Sequence, residues 1–266
     1  APKDKKMQAL GLLAMGSSLA MVLGLPIGRV IGQYLGWRAT FAIIGMAAAV
    51  AMVLLWRLLP PLPSKNSGSL KSVPLLFKRP LLVGLFVLTA IVVSAHFTAY
   101  SYVEPFVREV GGFSEGAATA ILLVFGLAGL TGSVLFNLYH RKNPSLFLQL
   151  SVGSLLASLV LMLPLSHYAA VMYVLVFVWG VGIAGIGLGL QVRVLQLAPD
   201  ATDVAMAIYS GIFNIGIGGG ALIGNLAIKH FGLADVGLTG AVLAAVSMVL
   251  LLWLSRRYGA PAGLKQ

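Results

Sequence analysis

The 266-residue sequence contains no cysteine and few charged side chains, which make up 9% of the chain. Without cysteine, no disulfide framework and no thiol chemistry can be argued for this sequence. Acidic residues are especially scarce, with 7 Asp and Glu against 18 Lys and Arg. This is too little charge to cover the surface of a soluble domain. Together with a mean hydropathy of +0.98, the composition predicts a membrane protein.

Eight apolar stretches along the sequence have about the length needed to cross a bilayer. A hydrocarbon core of about 30 Å requires about 20 helical residues. Because backbone polar groups cannot be left open in lipid, such continuous runs predict helices and not loops. The sequence therefore predicts an all-α membrane protein with eight transmembrane helices. The first begins near Met7, and the others are Phe41–Leu58, Leu81–Tyr102, Ala117–Leu138, Leu146–Leu165, Val171–Leu190, Val204–Ile228 and Val236–Leu254.

The basic residues are distributed unequally between the two sides of these predicted helices. With eight spans, the loops on one side hold all but four of the 18 Lys and Arg residues. The four on the other side are Arg29, Arg38, Arg108 and Lys229. Because basic loops stay in the cytoplasm, the sequence predicts a multi-pass protein with both termini cytoplasmic. Topology thus explains the net charge of +11, and no nucleic-acid partner is predicted.

A polar connector rich in Pro, Ser, Gly and Lys separates the second predicted helix from the third. It leaves two helices before it and six after it, as in one complete and one incomplete bundle of six. The four-residue glycine spacing of the first helix recurs six helices later, at Gly216, Gly220 and Gly224. We therefore divide the chain into the last two helices of an N-terminal bundle (1–59), a cytoplasmic linker (60–80), a six-helix C-terminal bundle (81–257) and a cytoplasmic tail (258–266).

Four stretches of the sequence carry a resemblance to a known family. The run from Gly24 to Arg38 (GLPIGRVIGQYLGWR) resembles the fifth-helix antiporter motif of the major facilitator superfamily, although Pro26 follows Leu25 where the general motif has Gly-Pro. The other stretches are 94–106, 197–206 and 210–216. The likeness is closest to SotB-type bacterial sugar efflux transporters in the drug:proton antiporter branch. It implies helices 5–12 of a twelve-helix fold, so we expect the chain to be truncated at its N-terminus.

The resemblance also implies a function. It predicts a secondary active efflux transporter of the bacterial inner membrane, which exports sugars or related small polar solutes by proton antiport with alternating access. The implied partners are a small sugar-like substrate, protons and the lipid bilayer, with no cofactor and with a monomer as the full-length form. A multidrug efflux antiporter and a non-transporting membrane fragment are the alternatives. No enzyme is predicted, because His140, His167 and His230 all lie near the ends of predicted helices and no catalytic constellation lies at membrane depth.

The third predicted helix is the richest in polar side chains. At 100° per residue, His96, Tyr100 and Glu104 share one side of this helix, while Ser94 and Thr98 lie nearly opposite. One side is expected to line a substrate cavity and the other to pack on a neighbouring helix. An imidazole can change charge near neutral pH, but a neutral imidazole bonded to a neighbour explains His96 equally well.

Two sets of candidate site residues follow. Asn214 either binds a hydroxylated ligand or bonds to a neighbouring helix, and Trp179 is either packing or a platform for a sugar ring. The predicted substrate-binding residues are His96, Tyr100, Ser101, Asn214 and Trp179. The predicted coupling or gating residues are Glu104, Arg29, Gly24, Pro26 and Gly28. No metal site is predicted, and Asp200 and Asp203 are expected to cap the seventh helix.

Overall fold

The computed structural model describes residues 24, 27, 28, 30–58, 72–140 and 142–259, and in these residues all regular structure is helical. Seven helices of this part are long and apolar enough to cross a membrane, which confirms the all-α membrane fold. The first of the eight predicted spans falls largely outside the described residues. The seven helices are α1 (Trp37–Leu58), α2 (Pro80–Tyr100), α3 (Glu115–Tyr139), α4 (Pro144–Leu161), α5 (Ala169–Leu197), α6 (Thr202–Phe231) and α7 (Val236–Tyr258).

Short elements and local caps define where the long helices begin and end. A short helix, Ser72–Phe77, precedes α2, a π-helical turn, Phe106–Val110, follows it, and a 3-10 turn, Leu233–Asp235, precedes α7. Helix α4 begins at a proline, and Asn143 caps it by accepting a hydrogen bond from the Leu146 amide at 3.0 Å. An N-cap acceptor of this kind satisfies one of the open amides of the first helical turn.

The chain divides into two compact units, Ala1–Lys65 and Asn66–Gln266. In the described part of the first unit, the helix of residues 30–35 ends at Gly36, whose φ of +81° favours glycine, and α1 begins at the next residue. The Thr40 hydroxyl donates to the Gly28 carbonyl oxygen at 3.4 Å. No residue of α1 is buried within this unit, so its apolar surface is available to lipid or to other helices.

The second unit is a bundle of α2 to α7 in which α2 and α5 make the main contacts. Helix α2 packs on α6 and α7, while α5 packs on α3 and α4. We name one end of this bundle, where α2, α4 and α6 begin and α3, α5 and α7 end, the basic end. Two contacts connect helices there: Arg79 before α2 meets Asp200 before α6, and Arg193 on α5 meets Ser145 on α4.

Close helix approach in the bundle occurs at glycines. A Cβ added at Gly220 of α6 would lie 2.6 Å from the Ser94 carbonyl oxygen and 2.8 Å from Phe97 Cβ, both on α2. The Ser94 hydroxyl donates to the Gly216 carbonyl oxygen across the same contact, at 3.3 Å. Small residues let membrane helices approach in this way, and packing then stabilises the pair. The Ser94 side of this helix therefore packs on a neighbouring helix, whereas the helical spacing left open which of the two polar sides does so.

We expect Gly220→Ala to destabilise the bundle by about 1–3 kcal/mol, because the added methyl group meets backbone and Cβ atoms that cannot move aside alone. Gly218→Ala is the matched control, since a Cβ at Gly218 on the same helix has no atom within 4 Å. Thermal unfolding in detergent measures both variants. Equal stability of the two would show that the α2–α6 contact is looser than its geometry indicates.

Candidate functional site

Four aromatic side chains from three helices meet inside the bundle. His96 and Tyr100 lie one turn apart on α2, with ring centroids 4.9 Å apart, and Trp179 of α5 and Phe125 of α3 complete the group. The His96 and Phe125 rings stack at 5.7 Å with an interplanar angle of 12°. Trp179 meets both His96 and Phe125 edge to face, at 5.5 and 5.7 Å. We name these four residues the aromatic cluster.

A hydrogen bond fixes the orientation of the two heteroaromatic rings. The indole Nε1–H of Trp179 donates to Nδ1 of His96 at 3.0 Å. Since an accepting nitrogen carries no proton, this geometry corresponds to a neutral imidazole with its proton on Nε2. To take a proton at Nδ1, His96 would have to lose this hydrogen bond. This contact agrees with a neutral imidazole bonded to a neighbour, which is one of the two alternatives for His96.

Burial differs among the four rings of the aromatic cluster. Trp179 is 1% exposed and His96 is 3% exposed, and Phe125 is also buried, whereas Tyr100 is partly exposed. A ligand that approaches the aromatic cluster in this conformation would therefore meet Tyr100 first. Three of the predicted substrate-binding residues, His96, Tyr100 and Trp179, are thus brought together. Phe125 was missed, because a phenylalanine in a continuous apolar run gives no signal of its own.

The other two predicted substrate-binding residues lie apart from the aromatic cluster. Ser101 is exposed at the C-terminal end of α2, where its amide donates to the Phe97 carbonyl oxygen at 3.3 Å. Asn214 is exposed on α6, about 160° around the helix from Gly216, which packs on α2. Its Nδ2 donates to the Ser210 carbonyl oxygen of the preceding turn at 2.8 Å. Asn214 makes this bond within its own helix, so the role in interhelical bonding has no support from this contact.

The predicted coupling residues are distributed over the two units. Glu104 lies between α2 and the π-helical turn, and Arg108 Nη1 donates to its Oε1 at 3.3 Å on the surface. Single turns of π-helix often occur at functional sites. Gly24 and Gly28 lie in helical backbone of the first unit, and a Cβ at Gly24 would have no atom within 4 Å. Pro26 and Arg29 lie outside the described residues.

An ion pair at the basic end replaces one of the predicted helix caps. Arg79 donates from Nη1 to Asp200 Oδ1 at 2.8 Å and from Nη2 to Oδ2 at 2.7 Å. Nη1 also donates to the Leu197 carbonyl oxygen at 2.7 Å, at the C-terminal end of α5. The prediction that Asp200 caps the seventh predicted helix, which is α6 in the structure, is therefore wrong. The N-cap residue of α6 is Ala201, which has no side-chain acceptor. The bidentate Arg79 hydrogen bonds lower the pKa of Asp200.

A second polar group at the basic end is more deeply buried. Arg193 is buried in the last turns of α5, and its Nη2 donates to the Ser145 hydroxyl at 3.0 Å. Burial, and then the charge of Arg193, lower the pKa of His140, which stacks on Phe136 at 4.4 Å. No group of three or more His, Cys, Asp or Glu side chains in the described part of the chain is placed to hold a metal ion.

The family model of the Major Facilitator Superfamily matches residues 1–221 of this chain. The chain belongs to the Major Facilitator Superfamily. This confirms the family-level resemblance that the fifth-helix motif and the three other stretches indicate.

Two curated relatives of this superfamily member carry the same description. The chain is 60% identical over 259 residues to a "Probable sugar efflux transporter" of Pasteurella multocida strain Pm70, which covers 97% of this chain and 64% of the relative. It is 58% identical over 249 residues to a "Probable sugar efflux transporter" of Mannheimia succiniciproducens, which covers 94% of this chain and 63% of that relative. The chain thus spans just under two thirds of the length of these relatives.

We expect Trp179→Phe to destabilise the bundle by about 1–3 kcal/mol, because it leaves His96 Nδ1 as a buried acceptor without its donor. The smaller phenyl ring also leaves a gap at this buried position, so the expected loss combines the unpaired acceptor with lost packing. Trp253→Phe is the control, because Trp253 is exposed on α7. Thermal unfolding in detergent is the measurement. If both variants unfold at the same temperature, the Trp179–His96 hydrogen bond contributes nothing to stability.

The Arg79–Asp200 pair predicts a pH-dependent contribution to stability. Because the pKa of Asp200 is lowered in the folded state, the contribution is fully present above the usual carboxyl pKa of about 3.9. It is lost as the pH falls through the lowered value. Asp200→Asn should therefore lower the unfolding temperature slightly at pH 7 and have no effect at acid pH.

A double-mutant cycle isolates this pair from other charge effects. In an Arg79→Gln background, Asp200→Asn should cause no further loss at pH 7. Lys78→Gln is the charge-matched control, since Lys78 is the neighbouring exposed cation. If Asp200→Asn lowers stability equally with and without Arg79, the carboxylate acts through another partner.

Proposed function

We propose that the protein that carries this sequence is a secondary active efflux transporter, which exports sugars or related small polar solutes by proton antiport with alternating access. The observation that carries the proposal is the pair of relatives, 60% and 58% identical, whose printed names describe sugar efflux. Proton coupling is proposed because the run from Gly24 to Arg38 resembles an antiporter motif. No catalytic role is proposed for any residue.

The aromatic cluster supports a ligand with one apolar face and several hydroxyl groups. A ring face is apolar and carries a negative quadrupole, which suits the C–H face of a sugar ring. Tyr100 offers such a ring at the partly exposed edge of the cluster, and its hydroxyl can both donate and accept. We propose that Tyr100 is the first contact, with His96 and Trp179 holding it in place and with Asn214 and Ser101 as polar contacts.

Export of amphipathic drugs is the second candidate. It is favoured by one observation, namely that the aromatic cluster contains two rings, Phe125 and Trp179, that offer no acceptor to a hydroxylated ligand. Both rings are buried in this conformation, so a drug with a large apolar surface would reach them only if the aromatic cluster opens, whereas a sugar would need the polar side chains as well. The two candidates therefore differ in their response to loss of a polar side chain.

We further propose a location and an arrangement. The distribution of Lys and Arg supports a bacterial inner membrane protein with both termini, and so the basic end, in the cytoplasm. Residues 81–257 would form the C-terminal bundle and 60–80 the cytoplasmic linker, with residues 1–59 belonging to the N-terminal bundle. Glu104, Arg29, Gly24, Pro26 and Gly28 are proposed to act in coupling or gating, and the full-length form is proposed to be a monomer.

Flux in proteoliposomes tests this function. With a proton gradient imposed across the vesicle membrane, a radiolabelled sugar should move against the proton flow, and collapse of the gradient with a protonophore should abolish its accumulation. Sugar flux that ignores the gradient would contradict antiport. Absence of flux for sugars, together with gradient-driven flux of an amphipathic drug, would favour the second candidate. Absence of both would favour a non-transporting membrane protein.

Asn214→Leu tests whether this polar side chain of α6 contributes to sugar binding. Loss of one ligand hydrogen bond should weaken sugar binding by about 0.5–1.5 kcal/mol, or about two- to twelvefold, and leave folded yield unchanged because Asn214 is exposed. Ile215→Leu is the control, since Ile215 is the next exposed residue of α6. The measurement is the half-saturating sugar concentration for export. An unchanged value for Asn214→Leu would remove Asn214 from the substrate site.

A further inference from the structure

A long groove opens on the surface of the bundle between α3 and α4. These two helices make few contacts with each other, because each packs on α5, which forms the floor of the groove. The cavity volume is about 590 Å³, within the range that holds drug-sized ligands. Its walls come from Leu135 and Tyr139 of α3 and from Leu146 and Leu150 of α4, and its floor includes Phe177 and Val181 of α5.

The groove is apolar along its whole length inside the membrane. Two serines line it, but their hydroxyls are bound within α4: Ser151 donates to the Phe147 carbonyl oxygen at 2.9 Å, and Ser154 to the Ser151 carbonyl oxygen at 2.9 Å. Leu150, between them and the basic end, is 65% exposed. A side chain this apolar and this exposed on a spanning helix is available to lipid or to another helix, and an acyl chain is the occupant that the length and the charge of the groove favour.

The length of the groove corresponds to one leaflet of a bilayer. Along α4 its lining residues extend from the start of the helix to Ser154, which is about 15 Å at 1.5 Å per residue. Half of a hydrocarbon core of about 30 Å has the same depth. The groove therefore begins at the membrane surface of the basic end and stops near the bilayer centre, as one lipid tail does.

A positive charge lies at the mouth of this groove. Lys142 is the only charged residue among the described residues that line it, and its Nζ lies 5.3 Å from the centroid of the Tyr139 ring. Helix α4, of 18 residues, begins two residues later, and the positive end of its macrodipole adds to the charge of Lys142, although Asn143 already accepts from the Leu146 amide. A cation and a helix N-terminus at the polar end of an acyl-sized groove are complementary to a phosphate headgroup without a compensating positive charge.

We propose that the groove between α3 and α4 binds one anionic phospholipid, with an acyl chain along Leu146 and Leu150 and its phosphate at Lys142. A zwitterionic lipid offers the same chain, but its own ammonium group competes with Lys142 for the phosphate. The acyl chain accounts for the fit to the groove, and the headgroup accounts for the preference for an anionic lipid. The site is distinct from the aromatic cluster, and it does not depend on what the protein exports.

Native mass spectrometry of the purified protein in detergent tests this site. Dioleoyl phosphatidylglycerol should bind with a Kd about fivefold lower than dioleoyl phosphatidylcholine, the factor that corresponds to about 1 kcal/mol for one basic residue at a headgroup. Lys142→Gln should bring the two Kd values together. Lys78→Gln, which removes an exposed cation outside the groove, should retain the preference. Equal Kd values for the two lipids, or equal effects of the two variants, would overturn the proposal.

Two further measurements distinguish a lipid from a free phosphate and from a protein partner. Leu150→Trp fills the groove and should weaken both lipids at least fivefold, whereas Leu222→Trp, at an exposed position on α6, should not. Glycerol 3-phosphate should fail to displace phosphatidylglycerol. Displacement by glycerol 3-phosphate, unchanged binding by Leu150→Trp, or a lipid-free dimer that Leu150→Trp dissociates would each contradict the assignment.

Discussion

Contact between helix backbones is the constraint on which the rest of this bundle depends. Each helix satisfies its own backbone hydrogen bonds, because lipid offers no partner, and apolar side chains gain little by leaving lipid for a neighbour. Attraction between helices must therefore come from close packing. A Cβ added at Gly220 would lie 2.6 Å from the Ser94 carbonyl oxygen, and a Cβ added at Gly180 of α5 would lie 2.6 Å from the Ala128 Cβ of α3. The small residues thus set how near the helices lie.

The aromatic cluster depends on these close contacts. Helix α6 packs on the Ser94 side of α2. The opposite side of α2, with His96 and Tyr100, therefore faces the interior of the bundle. On α5, Gly180 follows Trp179 directly and lets α3 approach, which brings Phe125 to the indole. Had α3 been held further away by a larger residue, the Phe125 ring would lose its contacts with His96 and Trp179. Gly180, next to the ring-bearing Trp179, therefore has a structural role in the site.

The sequence predicted the features that are local and failed on those that depend on distant partners. Continuous apolar runs predicted the described spanning helices, and spacing at 100° per residue separated the Ser94 side of α2 from the His96 side. Asp200 was misassigned, because a carboxylate before a helix has the signature of a cap, while its partner Arg79 is 121 residues away. The contacts of Phe125 and the groove beside Leu150 depend on which helices pack together. An apolar run in the sequence does not indicate which helices it will contact.

Helix α5 connects the aromatic cluster to the other sites of the bundle. Phe177 and Val178 line the floor of the groove, and the next residue, Trp179, donates to His96 on α2. The same helix ends in the buried Arg193, which bonds to Ser145 at the start of α4. Moving α5 relative to α2 would break a buried hydrogen bond, which costs about 1–3 kcal/mol, and would also disturb the tight glycine contacts with α3. If the proposed alternating access operates, this coupling favours motion of the six helices as one rigid body.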